Sequence, residues 1–503
     1  MTTHMKKYLM LVLVSFTVSG LFAQGEFDAL KYSQSEIIGS ARYVGMSGAF
    51  GALGGDVSSI GLNPAGIAVY RSSELSFTPV FTSTRTNSDF NGNESSDSRL
   101  KLQLNSFGYV GSFRTSKDAS ISNFNFGISY NRLKDYNRNV SIVGLNRPSS
   151  LLDRVCETLG SNVSEAKLSG LGFLAFETYL TNRELSGEYT SVLAPGEKMK
   201  SRMYMQEKGG IDEWNFSIGA NWAHFLYVGM SVNLQDVDYE LQTEYKEESA
   251  SDELFKFQLN NVLLTDGGGI NAKVGAILRP IPNLRLGLSM HSPTYYYLTD
   301  TYGASMSSEG VSDGLSDSHS EELSEGYGDY ELITPGRLLY SVAYQFGNKG
   351  LISMDWDIVD YRETILKSDN SVPYDDTNSD INSHARNTKN FRIGGEYRLN
   401  ENISLRAGTA WYQSAYKQNM TIDNPEIITV GTTPHYSFDN GTRYTSVGIG
   451  YRTGSFFLDV AAINQKSSEN FFNFFDSADH SEDKFAVLDT KKANINVSMG
   501  FRF

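Results

Sequence analysis

The chain has 503 residues with 58 acidic against 43 basic side chains, a formal charge of −15. A nucleic-acid partner is excluded by that balance, because binding such a backbone needs clustered Lys and Arg. The single cysteine, Cys156, excludes an internal disulfide and a multi-cysteine metal site, and the length allows either two or three ordinary domains or one large closed sheet. Tyr and Phe reach 29 each against 11 Pro, a balance that suits strands.

At the N-terminus, Lys6 and Lys7 precede the apolar run "YLMLVLVSF", then "TVSG" and "LFAQ". A basic start, an apolar centre and a small residue, Ala23, make residues 1–23 an expected export signal. The run is well short of the ~18 residues of a membrane anchor. No cysteine follows the cut, which rules out a lipid anchor there, and no later segment approaches a membrane-spanning helix. An exported chain of this kind enters a membrane only as strands.

Residues 24–72 do not alternate: "FDALKYSQSEIIGSARYVGM" reads as a short helix, followed by "GAFGALGGDVSSIGLNPAG". Gly48, Gly51, Gly54, Gly55, Gly61 and Gly66 crowd into that stretch, which ends on Asn63-Pro64-Ala65-Gly66. Glycine-rich turns cradle phosphate, but the lysine of a phosphate loop and a following helix start are missing.

From residue 73 onwards, period-two alternation recurs. In "NFNFGISYN", Phe124, Phe126, Ile128 and Tyr130 oppose Asn123, Asn125, Gly127, Ser129 and Asn131. "WNFSIGANW", "LRLGLSMH", "FRIGGEYRL" and the final "ANINVSMGFRF" repeat the pattern. A soluble core rarely tolerates Arg, Glu, Asn and Gly so regularly on the second face, whereas a wet lumen does. The alternation predicts fourteen strands, at 73–84, 100–113, 119–133, 211–223, 225–240, 268–280, 283–297, 334–347, 349–362, 388–399, 401–415, 440–452, 454–466 and 491–503. "LFKFQLNNVLL" (254–264) would be a fifteenth and is assigned to a loop, because single-chain bacterial barrels have even strand numbers.

The connections carry the strongest signal. Short turns alternate strictly with long stretches at 85–99, 134–210, 241–267, 298–333, 363–387, 416–439 and 467–490. Short periplasmic turns and long external loops are the outer-membrane pattern. The fold expected is all-β: a fourteen-stranded antiparallel transmembrane barrel, residues 73–503, with both mature ends periplasmic. Residues 24–72 then hang below the pore or fold up inside it as a hatch. Glycine packs closely against an inner wall, and Pro64 holds Asn63 extended.

The loops hold few chemical signals. "SSLLDRVCETLG" and "EAKLSGLGFLAFETYL" predict helices within 149–183. Glu309, Asp313, Asp317, Glu321, Glu322, Glu325, Asp329 and Glu331 form a solvated acidic loop or, without ligand-like spacing, a calcium site. "GVSDG" places Ser312 in a G-x-S-x-G pattern, but outside a strand–helix elbow. His224 and His291 fall at strand ends, structural or wet in one reading and haem or metal ligands in the other. "NFFNFFD" puts Phe471, Phe472, Phe474 and Phe475 in a loop, either covering one another or forming an apolar entrance. No catalytic residue, metal ligand or cofactor is assigned.

The exported chain, the Asn63-Pro64-Ala65 motif and the blocks "GGGINAKVGAILRPIPNLRLGLSMHSP", "TPGRLLYSVAYQF" and "FRIGGEYRLNENISLRAGTAWY" together resemble the FadL/TodX family of outer-membrane transporters. The likeness spans nearly the whole mature chain. His291 departs from the Arg common in the family before Ser-Pro, and the 134–210 loop is larger than usual. The resemblance implies a non-enzymatic, porin-like channel for passive uptake of hydrophobic compounds such as long-chain fatty acids. It implies a gating hatch, lateral release, outer-membrane lipid as surroundings, and a monomer. The terminal Phe503 likewise resembles the signal read by barrel-assembly machinery. The alternatives are a receptor for haemin or another apolar ligand, a barrel enzyme acting on lipid, and a surface adhesin.

Overall fold

The protein is described by a computed structural model that covers residues 25–503 apart from 116–119, 148, 161–163, 165–167, 169, 195, 251–254, 311–317, 369–373, 418–431 and 475–484. The export signal at 1–23, Asp313, Asp317, Ser312 and Phe475 lie outside the described residues.

An irregular N-terminal stretch comes first, with α1 (Glu26–Ser33), α2 (Ala41–Val44), α3 (Val57–Ile60) and a 3-10 turn at Pro64–Val69. β1 (Glu74–Phe90) and β2 (Asn93–Arg114) then form a hairpin. Its turn is Asn91-Gly92, with φ of +53° and +82°. Two successive positive φ values make the tight hairpin turn that Asn-Gly favours. β3 (Ile121–Asp135) and β4 (Arg138–Arg147) make one interrupted strand along β7 (Met199–Trp222). Between β4 and β7 lie α4 (Leu151–Leu159), α5 (Gly170–Glu177) and the small pair β5 (Thr181–Arg183) and β6 (Tyr189–Ser191). Ser150 caps α4, accepting from Leu152 N while Asp153 accepts from Ser150 N.

β8 (Leu226–Ser249) and β9 (Lys256–Ile281) follow. β10 (Leu284–His291) continues into β11 (Tyr295–Glu309), which carries the short β12 (Ser318–Glu322); β13 (Gly326–Ile333) continues into β14 (Arg337–Phe346). The wall is completed by β15 (Gly350–Asp360) with β16 (Ile365–Lys367), helix α6 (Asp375–His384), β17 (Asn387–Arg398), β18 (Ile403–Tyr412), β19 (Tyr436–Thr453), β20 (Phe456–Phe472) and β21 (Ala486–Arg502). Every pairing is antiparallel, and β21 returns to β1 from Glu74↔Arg502 to Asp89↔Val487. Counting each interrupted strand once, fourteen strands close into a barrel, in the order the alternation predicts. No helix among the described residues is long and apolar enough to cross a membrane.

The strands are much longer than expected, because their two faces exchange character halfway along. On β8 the outward residues are Val228, Met230, Val232 and Leu234, each more than 40% exposed, and the inward ones are Gly229, Ser231, Asn233 and Gln235. Beyond that point Asp236, Asp238, Glu240 and Gln242 face out, while Val237, Tyr239, Leu241 and Tyr245 are buried inside. β7 switches at the same height. Trp214, Phe216, Ile218 and Trp222 face out near the short turns, whereas Met199, Met203 and Met205 point inward at the far end. Trp214 to Trp222 is eight residue steps, about 27 Å of strand, which at a barrel tilt of about 40° rises about 20 Å, most of an outer-membrane apolar band.

This exchange corrects several assignments. Residues 256–264 are strand, with Phe257, Leu259 and Leu263 in the inner core. Residues 85–90 and 93–99, much of 241–267 and 298–333, and parts of 134–210 (138–147 and 199–210), 416–439 (436–439) and 467–490 (467–472 and 486–490) also continue the ladders. The physical reason is that the expected strands end where the outward face becomes charged, although pairing and alternation persist with the faces swapped. Helix occupies only part of 149–183.

One seam in the wall is incomplete. The β2–β3 ladder runs only from Ser106↔Asn131 to Arg114↔Asn123, so residues 93–105 of β2 pair with β1 alone. There β1 and β2 shift register: Thr78 faces Ser106, Pro79 faces Leu104, and Asn105 has no partner. Pro79 lacks an N–H, which suits it to such a bulge. Across the seam Arg132 Nη1 donates to Gln103 Oε1 at 2.9 Å.

The face exchange makes a direct prediction for barrels folded into lipid vesicles. Val232→Lys, on the apolar outer belt, should cost about 2–4 kcal/mol in unfolding titrations. Gln242→Lys, on the same outward row but beyond the switch, should stay within about 0.5 kcal/mol.

Candidate functional site in the barrel lumen

The N-terminal stretch runs down the inside of the barrel, with wall contacts around the whole circumference. Its upper end lies among the long connections. Phe27 packs on Tyr416 and Phe438, with ring centroids 5.6 and 5.1 Å apart, and Glu26 meets His384 of α6 at 2.7 Å. Phe503, by contrast, pairs with Ser73 beside the short turns. The two ends of the described chain are therefore at opposite ends of the barrel, which corrects the expectation that both sit on the short-turn side. The reason lies in the lumen: twenty-odd residues of irregular chain between α1 and the 3-10 turn are spent descending through it.

Descending from α1, Glu36 pairs with Lys492 at 3.0 Å, and Ser35 accepts from Arg337 at 3.0 Å. Ala41 N donates to Ser498 Oγ, Ser47 N to Ser446 Oγ, and Phe50 N and Gly51 N to the Asp355 carboxylate at 3.0 and 3.1 Å. Lys273 Nζ donates to Gly61 O, Arg285 to Leu53 O, and Asn125 Nδ2 to Ile67 O. These partners sit on β3, β9, β10, β14, β15, β19 and β21. Chain ends of short helices leave backbone groups unpaired, and here both internal caps and wall side chains take them. Ser40, Asp56 and Asn63 cap α2, α3 and the 3-10 turn by accepting from Tyr43 N, Ser58 N and Ala65 N.

The Asn63-Pro64 point is seated directly on the wall. Asn63 is buried, its Nδ2 donates to Gly51 O at 2.7 Å, and its Oδ1 accepts from Ala65 N at 3.1 Å. A side chain at Gly275 would collide with Asn63 Oδ1, and one at Gly229 with the Pro64 carbonyl. Met46 makes the same close approach to Gly394 and Gly408 on the opposite wall. Among the segment's own glycines, Gly48, Gly54 and Gly55 have φ of +74°, +61° and +67°, which L side chains rarely adopt. Gly51 abuts Ser341, and Gly66 packs on Gly54. Gly61 has an ordinary φ, and a Cβ there would meet Glu213, Asn215 and Ser58 oxygens only at ordinary contact distances of 3.5–3.6 Å, so neither freedom nor room demands glycine there.

The inner wall is heavily ionic. Lys273 and Glu213 pair at 2.6 Å with side chains 5% and 0% exposed, and Gln235 also donates to Glu213. Arg406 bridges Glu396 and Asp459, and Arg42 of the segment joins Glu396 at 3.0 Å. Buried ions of this kind must be paired, because an uncompensated one costs several kcal/mol. The lumen holds cavities of about 260 Å³ at the far end, 120 Å³ near Lys273 and 330 Å³ at the short-turn end.

The upper cavity is bounded by Phe27, Lys134, Tyr136, Tyr239, His435 and Phe471. Sequence reasoning missed most of these, since their rings come from segments read as loops. His435 stacks 5.2 Å from Phe471, and burial pushes its imidazole down to about 3, so it is neutral. Phe471 and Phe474 are buried, and Phe472 stacks on Tyr436 at 4.7 Å. The described part of the aromatic cluster is thus covered rather than displayed. The two singled-out histidines are not brought together. His291 Nε2 donates to Leu62 O at 2.9 Å inside the barrel, while His224 sits at φ +56° in the β7–β8 turn. No group of three or more metal-ligating side chains occurs among the described residues.

No protein-family model and no curated protein sequence matches the chain. Solved structures do. A Pseudomonas aeruginosa FadL homologue aligns over 94% of this chain and 100% of its own, with a TM-score of 0.56 at 13% identity. The Pseudomonas putida toluene transporter TodX aligns over 94% and 100%, with a TM-score of 0.52 at 14% identity. The chain therefore has the fold of these FadL- and TodX-type barrels.

The Glu26–His384 contact ties α1 to the external helix α6 and gives the lumen's upper end a pH dependence. The hydrogen bond to Glu26 holds the His384 imidazole above its ordinary value of 6.5. A raised folded value means the attachment is fully present below the unfolded value and is lost as pH rises through the folded one. NMR titration of His384 should show a midpoint above 6.5 that falls in Glu26→Gln. Equal midpoints in the two proteins would remove α6 as a pH-dependent anchor.

Proposed function

We propose that the protein is a bacterial outer-membrane channel for passive uptake of hydrophobic small molecules, with residues 24–72 as its hatch. The observation that supports this most directly is the N-terminal stretch itself. It threads the full lumen and is hydrogen-bonded to the wall all round, inside a barrel whose outer belt is apolar. Residues 1–23 act as the export signal, Phe503 ends the strand that the assembly machinery reads, and the barrel works as a monomer in outer-membrane lipid. The short turns and Phe503 face the periplasm, and the long connections face outward.

Substrate enters the upper cavity, where aromatic rings suit an apolar body and Lys134 and its polar neighbours suit a polar end group, as in a long-chain fatty acid. Among the described residues, Lys134 donates to the Lys31 carbonyl and to Gln34 Oε1, at 2.9 and 3.4 Å, and lies over the Tyr136 ring. Release is lateral, at the β2–β3 seam above Ser106–Asn131, where the wall lacks ladder hydrogen bonds. Hatch movement around Asn63-Pro64 opens that route. Neither a haemin receptor, a lipid hydrolase nor an adhesin is favoured by any specific feature of the lumen.

Two measurements test this reading. Mass spectrometry of the purified protein should find co-purifying apolar compounds; a reproducibly empty lumen counts against uptake. Asn63→Ala with Pro64→Ala removes three hydrogen bonds, with Gly51 O, Ala276 O and Ala65 N, and one rigid joint. At about 1–3 kcal/mol it should raise open-pore events in planar bilayers roughly ten- to a hundredfold. Unchanged conductance would reduce the segment to a tether.

A further inference from the structure

The cavity of about 330 Å³ at the short-turn end has a composition unlike the rest of the molecule. Seven arginines and no lysine line it, against three acids, in a chain with more acidic than basic residues overall. Three of the arginines are compensated. Arg42 and Arg406 share Glu396, Arg406 also holds Asp459 at 2.5 Å, and Arg502 pairs with Glu74 at 2.5 Å. Arg71, Arg285, Arg398 and Arg452 have no carboxylate at ion-pair distance among the described residues; Arg285 donates only to the Leu53 carbonyl, at 2.7 Å. The remaining acid lining the cavity is Glu401.

Four such guanidinium groups around one concave space repel one another, more strongly than they would in open water. A surface placed there only for solubility would mix signs or use lysine. Arginine's planar fork matches carboxylate and phosphate oxygens in pairs. We propose that this cavity is a binding site for a small oxyanion-bearing molecule, a carboxylate or phosphate, held by Arg71, Arg285, Arg398 and Arg452. The site sits where the N-terminal stretch leaves the lumen, since Gly54, Gly55, Tyr70 and Arg71 form part of its wall. It stands whether or not that stretch gates the pore.

The test uses the full-length protein in non-ionic detergent at low salt, titrated calorimetrically with inorganic phosphate, hexanoate and hexyl phosphate. The wild type should bind at least one of these anions, with affinity falling as salt is raised. Arg398→Gln with Arg452→Gln, both exposed and outside every ion pair, should weaken binding about tenfold or more. Arg71→Gln, outside every strand, gives an independent reading and should weaken it in the same direction. Tighter binding of the tailed anions than of phosphate identifies an amphiphile's head group as the source; equal binding identifies a free anion. No binding by the wild type, or undiminished binding in both variants, overturns the proposal.

Discussion

Closing fourteen strands into a barrel leaves an interior that side chains from the wall cannot fill. Barrel diameter grows with strand number, and only near eight strands do inward side chains meet across the axis. The lower half of this barrel turns Asn, Ser, Glu, Lys and Asp into that space, and such groups need partners once water is displaced. The N-terminal stretch supplies them largely as backbone. Its short helices end often, and each end offers N–H and C=O groups that Asp355, Ser446, Ser498, Asn125 and Lys273 take up. A regular helix would have satisfied itself and left the wall unsatisfied. The irregularity of residues 40–70 is therefore a consequence of the ring that encloses them.

The second consequence concerns which face is apolar. A strand that stays paired along its whole length still passes through different surroundings. Where the outside is an apolar belt, the inside is polar and filled by the N-terminal stretch. Where the outside carries Asp238, Glu240 and Lys246, the inside carries Tyr239, Leu241 and Tyr245 and forms an ordinary hydrophobic core. One unbroken period of two thus builds two different interiors, and the boundary between them falls near Ile211 and Val237. The upper cavity lies beyond that boundary, on the side of the long connections, and is lined both by rings and by the ion pairs Arg138–Glu207 and Glu36–Lys492.

These relations explain what was readable in the sequence. The lower halves of all fourteen strands were legible, because apolar and polar residues alternate there in the expected sense. The upper halves were read as loops, although Phe255, Phe257, Leu259 and Leu263 keep the same period. Asn91-Gly92 is a hairpin signal inside the stretch 85–99, nonetheless assigned to a long connection. The glycines of residues 48–66 pointed to confinement, and Asn63-Pro64 to a fixed point. Their seats, Gly275 and Gly229, were not legible, since a wall glycine means nothing until register aligns it. The same holds for Ser498 against Ala41, 457 positions apart. His291 departs from the family's Arg; in the lumen its Nε2 donates to Leu62 O of the N-terminal stretch.

The polar character of the contact between stretch and wall also bears on how firmly it is held. A buried hydrogen bond contributes only about 1 kcal/mol net, because water replaces it on release. Apolar packing of the same extent would contribute more and recover nothing when broken. Breaking half of a buried ion pair is the expensive case, but Lys273–Glu213 and Arg406–Asp459 lie wholly within the wall and survive any movement of the stretch. The polar contacts that cross from stretch to wall are mostly hydrogen bonds with one neutral partner, and they stand beside apolar clusters that join, for example, Met46 and Phe50 to Leu339 and Ile463. Arg42–Glu396 and Glu36–Lys492 are exceptions, and in each the wall keeps a second ion, Arg406 or Asp135, beside the one left behind. Lys134 and Arg285, whose hydrogen bonds go to Lys31, Gln34 and Leu53 of the stretch, are half-buried rather than buried, so water can replace those bonds if the stretch moves as the proposed gate requires.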